Sequence, residues 1–190
     1  MRRSSVIRFL CSAKTKDHFP ETKQEVVFVG RSNVGKSSLL NALYQQKLAY
    51  VGKTPGKTRL INFFDIHGRY TAVDVPGYGY ARRSEKELIE FAGMMDDYFS
   101  RKDKIRLVVM IVDSRIGLTA DDLDMLSYLK ENGLPYQIVA NKIDKLSNNQ
   151  LARNQKAFFS DLPDLIYVSC LKKTNLDLLE SSIESHLEVA

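Results

Sequence analysis

One segment near the N-terminus restricts the possible folds of this chain more than any other. Residues 30–37 follow the pattern G-x-x-x-x-G-K-S, directly after a largely apolar, strand-forming run at 25–29. A strand that feeds such a glycine-rich loop is suited to hold a chain of phosphates. Backbone N–H groups of the loop can surround the phosphates, Lys36 can reach their outer oxygens, and the Ser37 hydroxyl can bind Mg²⁺. On its own, the segment could also be a glycine-rich turn with an exposed lysine.

The run 38–43 has helical periodicity, so a helix N-terminus with its partial positive charge should also face the anion. The predicted phosphate-contacting residues are Gly30, Arg31, Ser32, Asn33, Val34, Gly35, Lys36, Ser37 and Ser38.

A second motif indicates the base of the nucleotide. Residues 141–144 read Asn-Lys-Ile-Asp after a strand-like run at 134–140. Guanine presents its N1–H and its exocyclic amine as adjacent donors, and one carboxylate can accept both, whereas adenine has no such pair. We therefore expect Asp144 to select guanine, Asn141 to contact the ring and Lys142 to pack along it. Alone, these residues could form an ordinary polar turn.

The remaining base-binding predictions concern Ile143, within the same motif, and the end of a later strand. Backbone amides of Val168, Ser169 and Cys170 could reach the O6 atom of guanine. This last signal is weak without the other motifs.

A third motif lies between these two, where the strand-like run 70–73 leads into Asp74, Val75, Pro76 and Gly77. Asp74 is expected to hold Mg²⁺ through water, and the Gly77 amide to sense the γ-phosphate, so that the following segment changes conformation on hydrolysis. Alone, D-x-P-G is more often an ordinary turn. Its position after a phosphate-binding loop favours a switch.

A basic, turn-rich stretch at 53–59 is the fourth element. Thr58 is predicted to give the second hydroxyl to Mg²⁺, with Thr54 as the alternative, and Gly56 and Lys57 are predicted to lie beside the nucleotide. The predicted metal ligands are Ser37, Thr58 and Asp74, and the residues predicted to act in catalysis are Lys36, Thr58 and Gly77.

These motifs, in this order, resemble a translation-factor-class G domain with a Ras-like fold. Longer strings are similar to the EngB (YihA/YsxC) GTPases of bacteria, over residues 9–187: FVGRSNVGKSSLLNAL, KTPGKTRLINFF, VDVPGYGYARRSEKE and VDSRIGLTADDLDML. The resemblance implies GTP and GDP as ligands, Mg²⁺, and a role late in the assembly of the large ribosomal subunit or its precursor. Asn141 and Asn175 depart from the family pattern, which more usually has threonine and glycine there.

The order of strand-like and helix-like runs predicts an α/β fold. We expect one GTP-binding domain over residues 1–190 with a short N-terminal extension, and a Ras-like, six-stranded, mostly parallel sheet with one antiparallel strand and helices on both faces. The short connection at His67-Gly68 predicts the antiparallel pair. Strands are expected near 25–30, 59–66, 69–75, 105–112, 135–140 and 165–169, and helices near 36–46, 84–101, 120–132, 147–160 and 175–187.

Charge and composition bear on partners and location. The chain has a net charge of +5, residues 1–16 contain no acid, and basic residues recur near both predicted switch segments, at Lys53, Lys57, Arg59, Arg82 and Arg83. Such a surface could grip RNA phosphates in one nucleotide state, or it could be a solvated surface of mixed charge. No run approaches the about 20 apolar residues of a membrane helix. The two cysteines are far apart in the sequence and are expected to be reduced thiols of a cytoplasmic protein. A monomer without membrane contact is also expected.

The segment 6–11 is interrupted by Arg8 and is expected to form a strand or loop rather than a signal peptide. Tyr78 stands where Ras has the glutamine that orients water, so intrinsic hydrolysis should be slow, at or below about 10⁻³ s⁻¹. Asn33 resembles an asparagine that binds K⁺ in related GTPases, although turn geometry also explains it.

Two other classes of function share parts of this pattern. A protein-binding signalling or cell-division (septation) GTPase without ribosome contact would have every nucleotide motif. An ATP-dependent kinase would need ATP preference, against which Asn141 and Asp144 argue.

Overall fold

The computed structural model describes residues 6–48, 60–79, 84–162 and 164–187. The strands are β1 (Ile7–Ala13), β2 (Glu25–Gly30), β3 (Ile61–Ile66), β4 (Tyr70–Asp74), β5 (Ile105–Asp113), β6 (Tyr136–Asn141) and β7 (Ile166–Tyr167). The helices are α1 (Lys36–Leu43), α2 (Glu85–Phe99), α3 (Ala120–Glu131), α4 (Asn148–Phe158) and α5 (Leu176–His186). Each predicted helix is present, and most begin and end within two residues of their expected bounds.

The strands form a seven-stranded sheet in the order β1-β3-β4-β2-β5-β6-β7. β3 runs antiparallel to both of its neighbours, β1 and β4, whereas the pairs from β4 through β2, β5 and β6 to β7 are parallel. The mostly parallel sheet with one antiparallel strand is therefore confirmed. The predicted number of six strands is wrong, because β1 adds a seventh.

β1 lies at the edge of the sheet, where it pairs with β3, from Ile7 with Ile66 to Ala13 with Ile61. Its register shifts between Phe9 and Cys11, and most of its side chains are not buried. A bulged edge strand of this kind lacks the regular alternation that marks a strand in a sequence. The segment 6–11 is thus a strand, one of the two outcomes expected for it.

The turn between β3 and β4 has a local explanation. His67 and Gly68 both have positive φ, 57° and 68°, and the Arg69 N–H donates to the Ile66 carbonyl at 2.9 Å. Three residues, 67–69, separate the antiparallel strands, and the two with positive φ allow the chain to reverse direction in a tight turn. The predicted antiparallel pair is confirmed.

Apolar side chains are buried on both faces of the sheet. α2 and α3 pack on one face through residues that include Tyr98, Phe99 and Leu129. α1 and α5 pack on the other through Leu39, Leu40, Leu179 and Ile183. Helices therefore cover both faces, as expected. Among the described residues, no helix is long and apolar enough to cross a membrane.

A buried ion pair joins the sheet to the end of α2. Glu25 is completely buried, and its carboxylate lies 3.0 Å from Nη2 of Arg101 and accepts a hydrogen bond from the Tyr98 hydroxyl at 2.7 Å. Removing one partner of a buried pair leaves the other charge without compensation.

We expect Arg101→Ala to lower the free energy of unfolding by about 3–5 kcal/mol, measured by urea denaturation. Arg8→Ala is the control, because Arg8 pairs with Asp65 while 69% of its side chain is exposed, and it should cost less than about 1 kcal/mol. Equal, small effects of the two substitutions would contradict this account of Glu25.

Candidate nucleotide-binding site

The predicted motifs meet at one edge of the sheet. β2, β4, β5 and β6 run parallel, and their carboxyl ends lead into the segments that begin at Arg31, Val75, Ser114 and Lys142. Open α/β sheets bind their ligands at this edge. The fold thus brings together residues that are more than a hundred positions apart in the sequence.

The predicted phosphate loop joins β2 to α1 and depends on its glycines. Gly35 has φ of 98° and directly precedes α1, and a Cβ there would collide with Nδ2 of Asn141. At Gly30 a Cβ would meet the Ile111 carbonyl oxygen at 2.8 Å. Both positions therefore exclude a side chain, because the loop packs closely against Ile111 of β5 and Asn141 of β6.

Lys36 lies at the start of α1 and is paired with the predicted switch aspartate. Its ammonium contacts Oδ1 of Asp74, and the two side chains are 8% and 1% exposed. Lys36 therefore lies between the phosphate loop and the end of β4, and both charges are shielded from water. The arrangement fits a cation that can be shared between a carboxylate and a phosphate.

The residues in place also fit Mg²⁺. Ser37, in the first turn of α1, and Asp74, at the end of β4, supply a hydroxyl and a carboxylate beside Lys36, and Mg²⁺ prefers oxygen ligands of these kinds. Thr58, the third predicted ligand, lies outside the described residues, as do Thr54, Gly56 and Lys57. Their roles stay predictions.

Gly77 and Tyr78 lie against the phosphate loop. A Cβ on Gly77 would meet the Ser32 nitrogen at 3.1 Å, and the Ser32 N–H donates to the Tyr78 carbonyl at 2.9 Å. Val75 and Pro76, between Asp74 and Gly77, are buried. The segment predicted to sense the γ-phosphate is therefore in direct backbone contact with the loop predicted to hold it.

The predicted base-binding residues form one connected group. Oδ1 of Asp144 accepts a hydrogen bond from the Ser169 hydroxyl at 2.7 Å, which lowers the pKa of Asp144, and only 6% of its side chain is exposed. Asp144 is thus held ionised, as a carboxylate must be to accept two donors from guanine.

Asn141 links this group to the phosphate loop. Its Nδ2 donates to the Val34 carbonyl at 3.0 Å, and its Oδ1 accepts from the Cys170 thiol at 3.2 Å. Burial raises the pKa of Cys170 to about 11, so the thiol stays protonated and can donate. The Val168 carbonyl accepts from the Ile143 N–H at 3.3 Å. The contact of Asn141 with the purine ring stays a prediction.

Sequence reasoning missed Asp113, the last residue of β5. It faces Asn141 across the β5–β6 pair and binds Arg115 at 2.7 Å and Lys142 at 2.9 Å. Lys142 in turn donates to the Asn33 carbonyl at 2.6 Å. An acid at the end of a buried strand, beside the strand that carries Asn-Lys-Ile-Asp, was the available signal. Asp113 positions the lysine that is predicted to pack along the base.

Asp113 also makes stability depend on pH. Burial alone would raise its pKa, but the hydrogen bonds from Arg115 and Lys142 outweigh burial and lower the pKa to about 2. A depressed carboxyl pKa stabilises the fold above the unfolded value of about 3.9, and this stabilisation is lost as the pH falls toward 2.

We expect Asp113→Asn to lower the free energy of unfolding by about 2 kcal/mol at pH 7 and by progressively less below pH 4. It should also weaken GDP binding, because Lys142 loses its anchor. The control is Asp103→Asn, at an exposed aspartate before β5. Urea denaturation from pH 7 to pH 2 measures the effect, and a pH-independent loss would show that Asp113 acts by packing alone.

Tyr78, the residue in place of the glutamine of Ras, directs its hydroxyl to Asp122 in α3. Its side chain is 6% exposed, and its hydroxyl donates to Oδ1 of Asp122 at 2.8 Å. Burial raises the pKa of Tyr78, and the neighbouring Asp122 raises it further, so the phenol stays neutral. Asp122 also accepts the Thr119 N–H at 3.0 Å at the start of α3. Tyr78 thus links the predicted switch to α3.

The comparisons with known proteins agree with this geometry. The family model described as "50S ribosome-binding GTPase" matches residues 25–142. A probable GTP-binding protein EngB of Mesoplasma florum is 43% identical over 95% of this chain and 96% of its own length. The chain belongs to the EngB family. Members of this P-loop GTPase family hydrolyse GTP, and the chain is accordingly a GTPase.

Other EngB proteins extend the match. The probable EngB of Kosmotoga olearia is 44% identical over 78% of each chain. A crystal structure of a probable EngB protein, 26% identical, has a TM-score of 0.66 and covers 85% of this chain and 97% of that one. Era of Aquifex aeolicus, bound to GDP·AlF₄⁻, is 24% identical with a TM-score of 0.68 over 90% of this chain and 58% of that one, and shares the fold. The EngB recognition and the Ras-like fold predicted from the sequence are confirmed.

Proposed function

We propose that this EngB-family chain is a single-domain, monomeric, cytoplasmic GTPase that acts as a nucleotide-dependent switch in assembly of the large ribosomal subunit. The observation that carries the proposal is the direct contact of Gly77 and Tyr78 with the phosphate loop, within a chain whose family is described by binding to the 50S ribosome. A switch needs a mobile reporter of the γ-phosphate that also reaches a partner surface.

Hydrolysis requires little covalent chemistry from the protein. Water attacks the γ-phosphorus, the bond to the β–γ bridging oxygen breaks, and the products are GDP and phosphate. Lys36 and the backbone N–H groups of residues 30–38 hold the β and γ oxygens, and Gly77 holds the γ-phosphate. Ser37, Thr58 and, through water, Asp74 would hold Mg²⁺, and the ion would supply positive charge that offsets the charge developing on these oxygens.

Intrinsic hydrolysis is slow in this proposal. The Tyr78 hydroxyl donates a hydrogen bond to Asp122. The residue that replaces the glutamine of Ras therefore does not orient the attacking water. A rate at or below about 10⁻³ s⁻¹ fits a G domain without a water-positioning group. Faster GTP hydrolysis then requires a partner or a cation.

K⁺ is the cation we propose, at Asn33. This residue is exposed and lies within the phosphate loop, with φ of 69°. We expect phosphate release to be at least fivefold faster in KCl than in NaCl at equal ionic strength, and Asn33→Ala to remove the difference. Equal turnover in the two salts would leave Asn33 with only a role in the turn.

RNA contact is proposed for the basic residues at 1–16 and near both switch segments. Of these, Arg8, Lys14 and Lys16 lie within the described residues, and Arg8 and Lys14 form ion pairs with Asp65 and Glu90. Lys53, Lys57, Arg59, Arg82 and Arg83 lie outside the described residues. Phosphate contacts would make ribosome binding weaken steeply with salt.

Co-sedimentation with purified large ribosomal subunits tests the proposal. We expect binding with a non-hydrolysable GTP analogue and little binding with GDP, while Lys36→Ala should bind in neither state. Absence of binding in both states, with guanine-nucleotide affinity intact, would favour a protein-binding signalling or cell-division GTPase instead.

A further inference from the structure

α2 and α3 have a charge opposite to that of the whole chain. Together they carry nine acidic and two basic residues, although the chain has a net charge of +5. A surface of this sign repels RNA phosphates and attracts lysine and arginine side chains. The acidic helix pair is therefore unsuited to the RNA contacts proposed above. Its charge favours a partner that carries lysine or arginine side chains.

An apolar groove lies between these two helices. It has a volume of about 340 Å³ and is lined by the partly buried Phe91, Met125 and Tyr128 and by Met95 and Phe99, which are buried. Grooves of this size accept a large aliphatic or aromatic side chain, and methionines adapt their shape to what enters. The lining is thus of the kind that receives an apolar anchor from another chain.

The edge of the groove is acidic. Asp96, Asp121 and Asp124 are its charged lining residues, and all three are exposed. Leu88, Ile89 and Leu123, on the same two helices, are also at least half exposed. An apolar floor with acidic edges matches a segment that has an apolar anchor between basic residues.

The groove is connected to the predicted switch. The hydroxyl of Tyr78 binds Asp122 at the start of α3, and a Cβ on Gly79 would lie 2.5 Å from Oδ2 of Asp121. Asp121 is at the edge of the groove, and the Tyr78 carbonyl binds the phosphate loop at Ser32. A change at Gly77 would therefore reach the groove through two consecutive residues.

We propose that the α2–α3 groove docks a protein segment that carries lysine or arginine residues around an apolar anchor, more tightly in one nucleotide state than in the other. Only its dependence on nucleotide rests on the proposed switch function. Docking itself follows from the shape and charge of the groove.

Methionine methyl signals can report docking directly. Met95 and Met125 line the groove, whereas Met110 is fully buried in β5 and serves as an internal reference. With ¹³C-methyl methionine labelling, we expect an amphipathic lysine/leucine peptide to shift the Met95 and Met125 signals and leave Met110 unchanged. The matching glutamate/leucine peptide and a single-stranded RNA should shift neither.

Two charge-reversed variants complete the test. Asp96→Lys/Asp124→Lys should weaken binding of the lysine/leucine peptide at least tenfold, while Asp177→Lys/Glu180→Lys, an equal change on α5, should leave it unaltered. Equal binding by both variants, no shift with the peptide, or a shift with RNA would overturn the proposal. Equal peptide affinity with GDP and with the GTP analogue would overturn its dependence on nucleotide. No ribosome enters this test, so its failure leaves the proposed ribosomal function standing.

Discussion

Lys36→Ala should lower the rate of GTP hydrolysis at saturating nucleotide by at least about 10²–10³-fold, the usual cost of removing one group that stabilises developing charge. The reason lies in the position of Lys36, which contacts Asp74 at the end of β4 while both side chains are buried. Without the ammonium, the phosphate oxygens lose their cation and Asp74 loses its partner. Single-turnover phosphate release measures the first effect.

The second effect of Lys36→Ala concerns the fold. Removing one partner of a buried pair costs about 3–5 kcal/mol, so the nucleotide-free variant should unfold at lower urea concentration than the parent chain. Lys36→Ala/Asp74→Ala should recover part of this stability while remaining inactive. Lys104→Ala, which removes a partly exposed lysine 4.0 Å from the exposed Glu21, should leave both properties unchanged. Normal turnover by Lys36→Ala would contradict the assignment of the phosphate loop.

Asp144→Asn should change the base that the site selects. An amide has only one acceptor oxygen, and its NH₂ group faces the donor groups of guanine, so GTP affinity should fall by about 3 kcal/mol or more, over a hundredfold. Xanthine has a carbonyl where guanine has its exocyclic amine, and that oxygen can accept from the new amide. We therefore expect the variant to bind XTP more tightly than GTP in competition titrations.

Ser169→Ala is the matched control for Asp144→Asn. It removes the hydroxyl that donates to Asp144 at 2.7 Å but keeps the carboxylate. GTP affinity should fall by about 1 kcal/mol, and guanine should remain preferred over xanthine. An Asp144→Asn variant that still prefers GTP would show that the base is read elsewhere.

The motifs were predictable from the sequence because each depends on a short stretch of chain. Gly35, Lys36 and Ser37 follow a strand and begin a helix, and the structure has both elements at the expected positions. The parallel order of the strands then brings Asn141 to the phosphate loop, where it binds the Val34 carbonyl. The proximity of these motifs therefore follows from local patterns and the rules of α/β topology.

The missed features depend on contacts between distant residues or on side-chain direction. β1 is a strand because it pairs with β3 at the edge of the sheet. Its own sequence, with Arg8 between apolar residues, does not indicate this pairing. Asp113 looks like one more polar residue until its pairing with Lys142 is seen. The direction of the Tyr78 side chain toward Asp122 is likewise set by packing, which no spacing of residues encodes.

The central claim is that nucleotide state and ribosome binding are coupled through Gly77 and Tyr78. Coupling of two binding equilibria is reciprocal, so a particle that prefers the GTP form must raise the affinity for GTP relative to GDP by the same factor. The most direct measurement is a titration with fluorescent GDP and a fluorescent, non-hydrolysable GTP analogue, with and without saturating large ribosomal subunits. We predict that the subunits raise the affinity for the GTP analogue at least fivefold relative to GDP, and an unchanged ratio of the two affinities would contradict the account.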